Sequence, residues 1–301
     1  MRTSLWISLT CAASIALAAG CGKRRGGGKM IQNKGSDTMV NLAQAWAEEY
    51  RKVNPQVAIA VTGGGSGTGI AALINGTVDI ANASREMKPA EKAEAKKNTG
   101  KDPVEHTVAF DALAIYVHKS NPMASISKEQ LACIYGENGT CNSWSDLKVQ
   151  VPGCSGQEIV RVGRQNNSGT YMFFREWVVG EKNDFKLGSR DMQGSKDVVD
   201  LVERTPCAVG YSGIGYKTGS VKAVCVSLAE GEPCVEPSIE AALSGKYPIS
   251  RALYMITLGE PTGDLKGFLD WARSDAGQSI VERTGYAPLP KEKRTQAAPA
   301  K

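Results

Sequence analysis

Apolar positions along this chain change period several times, and the changes mark out its elements. Residues 30–32 begin a short strand, and Gly35-Ser36-Asp37-Thr38 makes a turn of cap-type residues before residues 39–53. There Leu42, Trp46 and Tyr50 recur every fourth position, which places one stripe of an amphipathic helix on a core. A β-branched strand is predicted over 56–61, a glycine-rich turn over 63–69, a small helix over 70–74 and a strand over 78–83. The Ala/Glu/Lys-rich stretch 89–97 reads as a solvated helix. Residues 107–117 form a long apolar strand. This β-α-β-α-β order predicts a mainly parallel sheet covered by helices.

The second part repeats the theme. Helices are expected over 127–135, 170–179, 195–203, 238–243, 264–272 and 278–284, with strands over 158–162, 208–211, 221–226 and 252–258. No repeat of fixed period is present. Residues 291–301 are rich in Lys, Ala and Pro and are expected to be a disordered tail.

The first twenty residues follow a different logic. A basic start at Met1-Arg2 precedes an apolar run at 5–19, shorter than the ~20 residues that span a bilayer, so residues 1–20 read as a secretory signal peptide. The run ends in Leu17-Ala18-Ala19-Gly20-Cys21, which resembles the bacterial lipobox, where the cysteine is lipidated. Ordinary cleavage near Ala19 is the alternative. Residues 21–30, with Lys23-Arg24-Arg25 and three glycines, then form a lipidated tether. Export implies an oxidising compartment. Apart from Cys11 and Cys21, six cysteines remain, an even number as three disulfides require. Cys133 with Cys141 and Cys225 with Cys234 are near enough for local loops, leaving Cys154 for Cys207, although six cysteines allow ~15 pairings. All six lie in the middle of the chain and would staple one lobe.

Composition removes several classes of function. The chain has 301 residues, 42% of them apolar, and a formal charge of +5 spread without long basic blocks, so it is globular and nucleic acid is not the implied partner. Two histidines, His106 and His118, make no metal cluster, and the cysteines lack CxxC spacing, so no metal is expected. Gly67-Thr68-Gly69-Ile70-Ala71-Ala72 fits G-x-G-x-x-A, but the acidic residue expected after the next strand is missing. There is no P-loop and no G-x-S-x-G elbow. The tryptophans and tyrosines read as core and interface anchors.

What remains is a recurring kind of turn. Gly35-Ser36-Asp37-Thr38, Gly64-Gly65-Ser66-Gly67-Thr68-Gly69 and Asn167-Ser168-Gly169-Thr170 each put hydroxyls and glycines just before a predicted helix. Each offers O–H and free backbone N–H donors at the positive end of a helix dipole, the chemistry that encloses an oxyanion. Helix capping alone explains any one of them; three together do more. Arg85, after Ala83-Ser84, and Arg164, four residues before Ser168, could supply the charge, with surface ion pairing as the alternative for either.

These stretches, with Trp144-Ser145-Asp146-Leu147, Ala208-Val209-Gly210-Tyr211 and Tyr247-Pro248-Ile249-Ser250-Arg251, resemble the periplasmic phosphate-binding proteins of ABC transporters over roughly residues 30 to 290. The resemblance implies an α/β, two-lobed, type II-like periplasmic-binding-protein fold: mixed sheets with helices on both faces and two crossing hinge strands. Crossings near Val117 and Ser250 would give one lobe of 31–117 plus 250–290 and a second of 118–249. It also implies a monomeric, non-enzymatic protein, without cofactor, that binds inorganic phosphate outside the inner membrane and passes it to ABC permease subunits, held to the membrane by its lipid anchor. Carried over residue by residue, Ser36, Thr38 and Ser66 become hydroxyl donors and Asp37 and Gly67 backbone contributors. Arg85 adds charge beside Ser84; Arg164 gives its fork; Ser168, Gly169 and Thr170 give donors at a helix start. Asn166 stands where many relatives carry aspartate. Asp111 is then the candidate acceptor for a phosphate proton, with a structural salt bridge as its alternative role. The rival functions are binding of sulfate, molybdate or tungstate, an exported phosphate-handling enzyme, or a phosphate sensor or adhesin on the same fold.

Overall fold

The computed structural model describes residues 29–296. The signal peptide, Cys21, most of the tether and residues 297–301 lie outside the described residues. The first part of the chain gives β1 (Lys29–Gly35), α1 (Val40–Val53), β2 (Val57–Thr62), α2 (Ser66–Ile74), β3 (Ile80–Ala83), α3 (Pro89–Thr99) and β4 (Pro103–His118). It continues through β5 (Ser125–Ser127), α4 (Lys128–Tyr135), β6 (Val160–Arg164), α5 (Gly169–Val179), β7 (Arg190–Met192), α6 (Ser195–Arg204) and β8 (Ala208–Gly213). The last elements are β9 (Val221–Ser227), α7 (Ile239–Leu243), β10 (Ser250–Leu258), α8 (Gly263–Arg273) and α9 (Asp275–Arg283).

The predicted stripes are the buried ones. On α1, Leu42, Trp46 and Tyr50 face the core, where the Trp46 indole donates to Gly277 O (2.8 Å) and Tyr50 packs on Phe268 and Trp271. Helix α3 buries only Ala95, as its polar composition requires. Ser127 caps α4 by accepting from Gln130 N–H. Strands β5 and β7, three residues each, were too short to show a period. Helix α2 begins at Ser66, inside the stretch expected to be a glycine turn.

Sheet pairing explains the two lobes. Strand β4 pairs with β10 over residues 103–112, then with β8 and β9 over 113–118. It therefore belongs to both lobes, and β10 returns the chain to the first lobe with Ser250 opposite Ala112. The partners of β4 change between Ala112 and Leu113, and its apolar run 113–117 is paired with β8 and β9 and buried. The sheet is mixed, not mainly parallel. Parallel pairs (β2-β1-β3 and β8-β6-β7) flank a centre where β3-β10, β10-β4, β4-β8 and β4-β9 run antiparallel. An outgoing and a returning crossing strand must run in opposite directions, which sets that centre.

Cys133–Cys141, Cys154–Cys207 and Cys225–Cys234 pair as disulfides, all in the second lobe. Residues 291–296, placed in the expected tail, make defined contacts. Arg294 donates to Leu289 O (2.8 Å) and pairs with Asp275 (2.9 Å), and Thr295 N–H donates to Arg273 O (3.2 Å), so 291–296 lie against α8 and α9.

Candidate functional site

Strands β10, β4 and β8 separate β6 from the neighbouring β1 and β3, yet the segments at their carboxyl ends meet. Arg164 at the end of β6 reaches Asp37 just after β1 (3.0 Å), at the carboxyl edge where open α/β folds take ligands. Ser36 follows β1, Ser84 follows β3, Arg164 closes β6, Ser66 opens α2 and Ser168 caps α5. Their side chains are buried: Ser66, Ser84, Thr38 and Thr170 at 0% exposure, Arg164 at 1%. Six buried hydroxyls at the mouth of two helices are costly to desolvate without partners.

The hydroxyls contact each other across both lobes. Ser36 Oγ donates to Ser84 Oγ at 3.0 Å, Ser84 N–H donates to Ser66 Oγ at 3.0 Å, and the Thr38 and Thr170 hydroxyls lie 2.9 Å apart. Ser168 Oγ accepts from Thr170 N–H (3.1 Å) and Tyr171 N–H (3.4 Å), capping α5. Gly169 could carry no side chain, since a Cβ there would stand 2.4 Å from Ser66 Oγ and 2.7 Å from Ser84 Oγ. The first turn of α5 is thereby pressed against the donors of the first lobe.

Charge enters from two directions. Arg164 Nη1 donates to Ser195 Oγ (2.9 Å), its Nε to Gln193 O (3.1 Å), and its Nη2 to Gln193 O (2.6 Å) and Asp37 Oδ2 (3.0 Å). Burial pulls the Arg164 guanidinium below its usual range and the Asp37 carboxylate opposes that; the group stays cationic. Arg251 is the second cation. Its Nη2 donates to Thr170 Oγ1 (3.0 Å), Thr38 Oγ1 (3.3 Å) and Asp111 Oδ2 (2.8 Å), and Nη1 to Ser84 O (3.1 Å), with Phe173 stacked 5.3 Å away. A cleft of about 860 Å³, lined among others by Phe173, Tyr254 and Met87, reaches Arg251 from the surface.

Several residues of the sequence reading sit differently in the structure. Arg85 does not join the hydroxyls: its guanidinium is committed bidentately to Glu91 of α3 at 2.7 and 2.8 Å. Ion pairing, the alternative for Arg85, is what the structure shows, and Arg251 brings the first lobe's charge instead. Asp37 contributes its side chain as well as its backbone, holding Arg164 with Oδ2 and accepting Gly64 N–H with Oδ1 (2.8 Å). Gly67 gives its N–H to Asn167 O (2.9 Å), a contact between lobes. Asn166 is exposed. Asp111 is fully buried and paired with Arg251, the structural role left open for it. Burial raises its pKa, opposed by Arg251, and its Oδ1 makes no hydrogen bond of good geometry. The missed Arg251 carried one signal: a basic residue at the start of the returning strand, beside the expected crossing.

The arrangement suits holding an anion better than reacting with one. Among the described residues no imidazole reaches the serines: His106 Nε2 meets Thr257 Oγ1 (3.0 Å) and His118 meets Ser120. No group of three metal-ligating side chains occurs among the described residues either.

The profile of the PBP superfamily domain matches residues 22–276. The chain belongs to this superfamily. The phosphate-binding protein PstS of Pseudomonas aeruginosa is 38% identical over 269 residues, covering 86% of this chain and 83% of that protein. The Bacillus subtilis PstS is 30% identical, covering 100% and 99%. Among solved structures, a phosphate ABC transporter substrate-binding protein with bound phosphate from Clostridium perfringens superposes with TM-score 0.77 at 28% identity, covering 87% of this chain and all of that one. An ABC-type phosphate transport receptor from Vibrio cholerae gives 0.67 at 27% identity, covering 86% and 100%. The two-lobed α/β fold of PBP superfamily members is thus the fold of this chain.

Proposed function

We propose that this protein binds inorganic phosphate outside the inner membrane and delivers it to an ABC import permease. The observation that carries the reading is the clustering of the buried hydroxyls of Ser36, Thr38, Ser66, Ser84, Ser168 and Thr170 at the start of α5, with buried Arg251 bonded to Thr38 and Thr170 and buried Arg164 bonded to Asp37, which lies between Ser36 and Thr38. A tetrahedral oxyanion presents several acceptor oxygens to such a set, and two guanidiniums supply charge-assisted donors. The relatives named phosphate-binding proteins support phosphate over other oxyanions. The protein acts as a carrier without catalysis or cofactor, as a monomer whose lobes close on the ion.

Phosphate near neutral pH keeps a proton that sulfate lacks, so a buried carboxylate acceptor favours it. With Asn166 neutral and exposed, Asp111 Oδ1 takes that role. Export by residues 1–20 and lipidation at Cys21 would hold the carrier at the membrane beside permease subunits. Among the described residues no helix is long and apolar enough to cross a membrane. Isothermal titration with phosphate, sulfate and molybdate tests the proposal: phosphate should bind tightly at 1:1. Equal or tighter binding of sulfate or molybdate would reassign the ion, and phosphate release from a chromogenic ester would make the protein an enzyme.

A further inference from the structure

One residue beside the anion site spends its hydrogen bonds on the opposite lobe. Asn167, half-buried in the turn before α5, accepts Gly67 N–H at its main-chain oxygen (2.9 Å). Its side-chain amide donates to Gly64 O (3.0 Å) and Thr68 Oγ1 (3.2 Å). The partners all belong to the glycine turn that opens α2, and none of these bonds involves a hydroxyl or guanidinium of the anion site. The turn is shaped to receive it. Gly65 has φ +91°, and a Cβ there would lie 2.7 Å from Asn167 O; a Cβ at Gly67 would lie 3.2 Å from the same atom. Backbone without side chains is what lets the two turns touch.

We infer that Asn167 is the closure latch of this carrier, a positioning residue that holds the lobes together over the ion without contacting it. The inference rests on the anion-carrier reading above. Geometry gives the reason. Ser66 lies one residue from Gly65 and Gly67, and Ser168 and Gly169 directly follow Asn167, so seating Asn167 on the glycine turn brings Ser66 Oγ against the start of α5. When the lobes part, the Asn167 amide, Gly64 O and Gly67 N–H return to water, where each is solvated. The latch therefore adds little to the encounter with an ion and acts on its escape. Its loss should appear in the dissociation rate and in the balance between open and closed forms.

The test uses the full-length mature chain and three variants: Asn167→Ala, Asn167→Asp, which keeps the shape but sets a carboxylate oxygen against Gly64 O, and Gly65→Ala. Stopped-flow measurement of phosphate release and uptake should show dissociation faster by about tenfold in each, with association within about twofold of the parent. Melting temperature without phosphate should stay at the parental value for both Asn167 variants. Small-angle scattering should show a larger radius of gyration than the parent under identical conditions. The scattering does not depend on which ion binds: an expanded Asn167→Ala form in a protein that ignores phosphate would sink the phosphate reading and keep the latch. Dissociation rates and scattering both unchanged in Asn167→Ala and Gly65→Ala would overturn the latch. So would an affinity loss carried by the association rate, or a lowered melting temperature with dissociation unchanged, which would make Asn167 a fold residue only.

Discussion

Asp111 and Arg251 stand directly opposite each other on the two crossing strands, register partners of β4 and β10, and their ion pair (Nη2 to Oδ2, 2.8 Å) is sealed from solvent at the point where the lobes join. The pair ties the hinge to the site, since the same Nη2 reaches the hydroxyls of Thr38 and Thr170. Its energetic meaning follows from burial. Charges removed from water repay their desolvation through one another, so loss of either partner strands the other.

Arg251→Ala should therefore cost both stability and binding. The expected destabilisation is about 3–5 kcal/mol, because Asp111 is left buried without its cation. Denaturant unfolding measures it, and a change below about 1 kcal/mol would contradict the pairing.

Asp111→Asn separates the two roles of the carboxylate. If Asp111 Oδ1 accepts the phosphate proton, the ratio of phosphate to sulfate affinity falls in the variant. An unchanged ratio in competition titration, alongside lowered stability, would leave Asp111 with the orientation of Arg251 as its whole role.

Arg164→Ala and Arg85→Ala should part company. Removing Arg164 takes a charge-assisted fork from the site and should weaken phosphate binding by at least about 1.5–3 kcal/mol, tenfold or more. Arg85, held by Glu91, should leave the dissociation constant within about twofold, with a stability loss of about 1 kcal/mol. Calorimetry on the two variants checks both, and a large affinity loss for Arg85→Ala would restore it to the site.

The three disulfides should differ in weight. Cys154–Cys207 closes 53 residues of chain, against 8 for Cys133–Cys141 and 9 for Cys225–Cys234. Loop-closure entropy then assigns about 4 kcal/mol to the long bridge and about 2.5 kcal/mol to each short one. Paired Cys→Ser replacements followed by urea unfolding should reproduce that order.

His106 gives a pH dependence of definite sign. Burial lowers its pKa, aided by Arg273 and opposed by Glu260 and Asp270. The unfolded chain then binds the proton more readily than the folded one, so stability is full above the free-histidine value of about 6.5 and declines as pH falls towards the folded pKa. Melting temperature should drop as pH falls below about 6.5, and His106→Gln should flatten that part of the profile. An identical slope in the variant would assign the effect elsewhere.

Most helices and strands were legible because each announces itself over a short window: the Leu42-Trp46-Tyr50 stripe, the apolar run of β4, the Ser127 and Ser168 caps. The donor turns were legible for the same reason, as hydroxyls and glycines adjacent in sequence. Asp37 and Asn167 belong to those turns, yet their contacts with Arg164 and with Gly64, Gly67 and Thr68 join residues roughly a hundred or more positions apart. Arg85 shows the limit most plainly. A Ser-Arg after a strand looks like a strand-end donor, but the direction of the next turn sends its side chain to Glu91. Arg251 lies 140 positions from Asp111, and no local period links them.

By itself the sequence determined the alternation of elements, the anion-type chemistry of three turns, and a cysteine set suited to bridging one lobe, since these depend on neighbours along the chain. Tertiary structure decided which arginine faces the hydroxyls, where β4 passes from one lobe to the other, and that Asn167 docks on the glycine turn. Those outcomes depend on strand register and lobe packing, which bring together groups whose separation along the chain carries no signal of their contact.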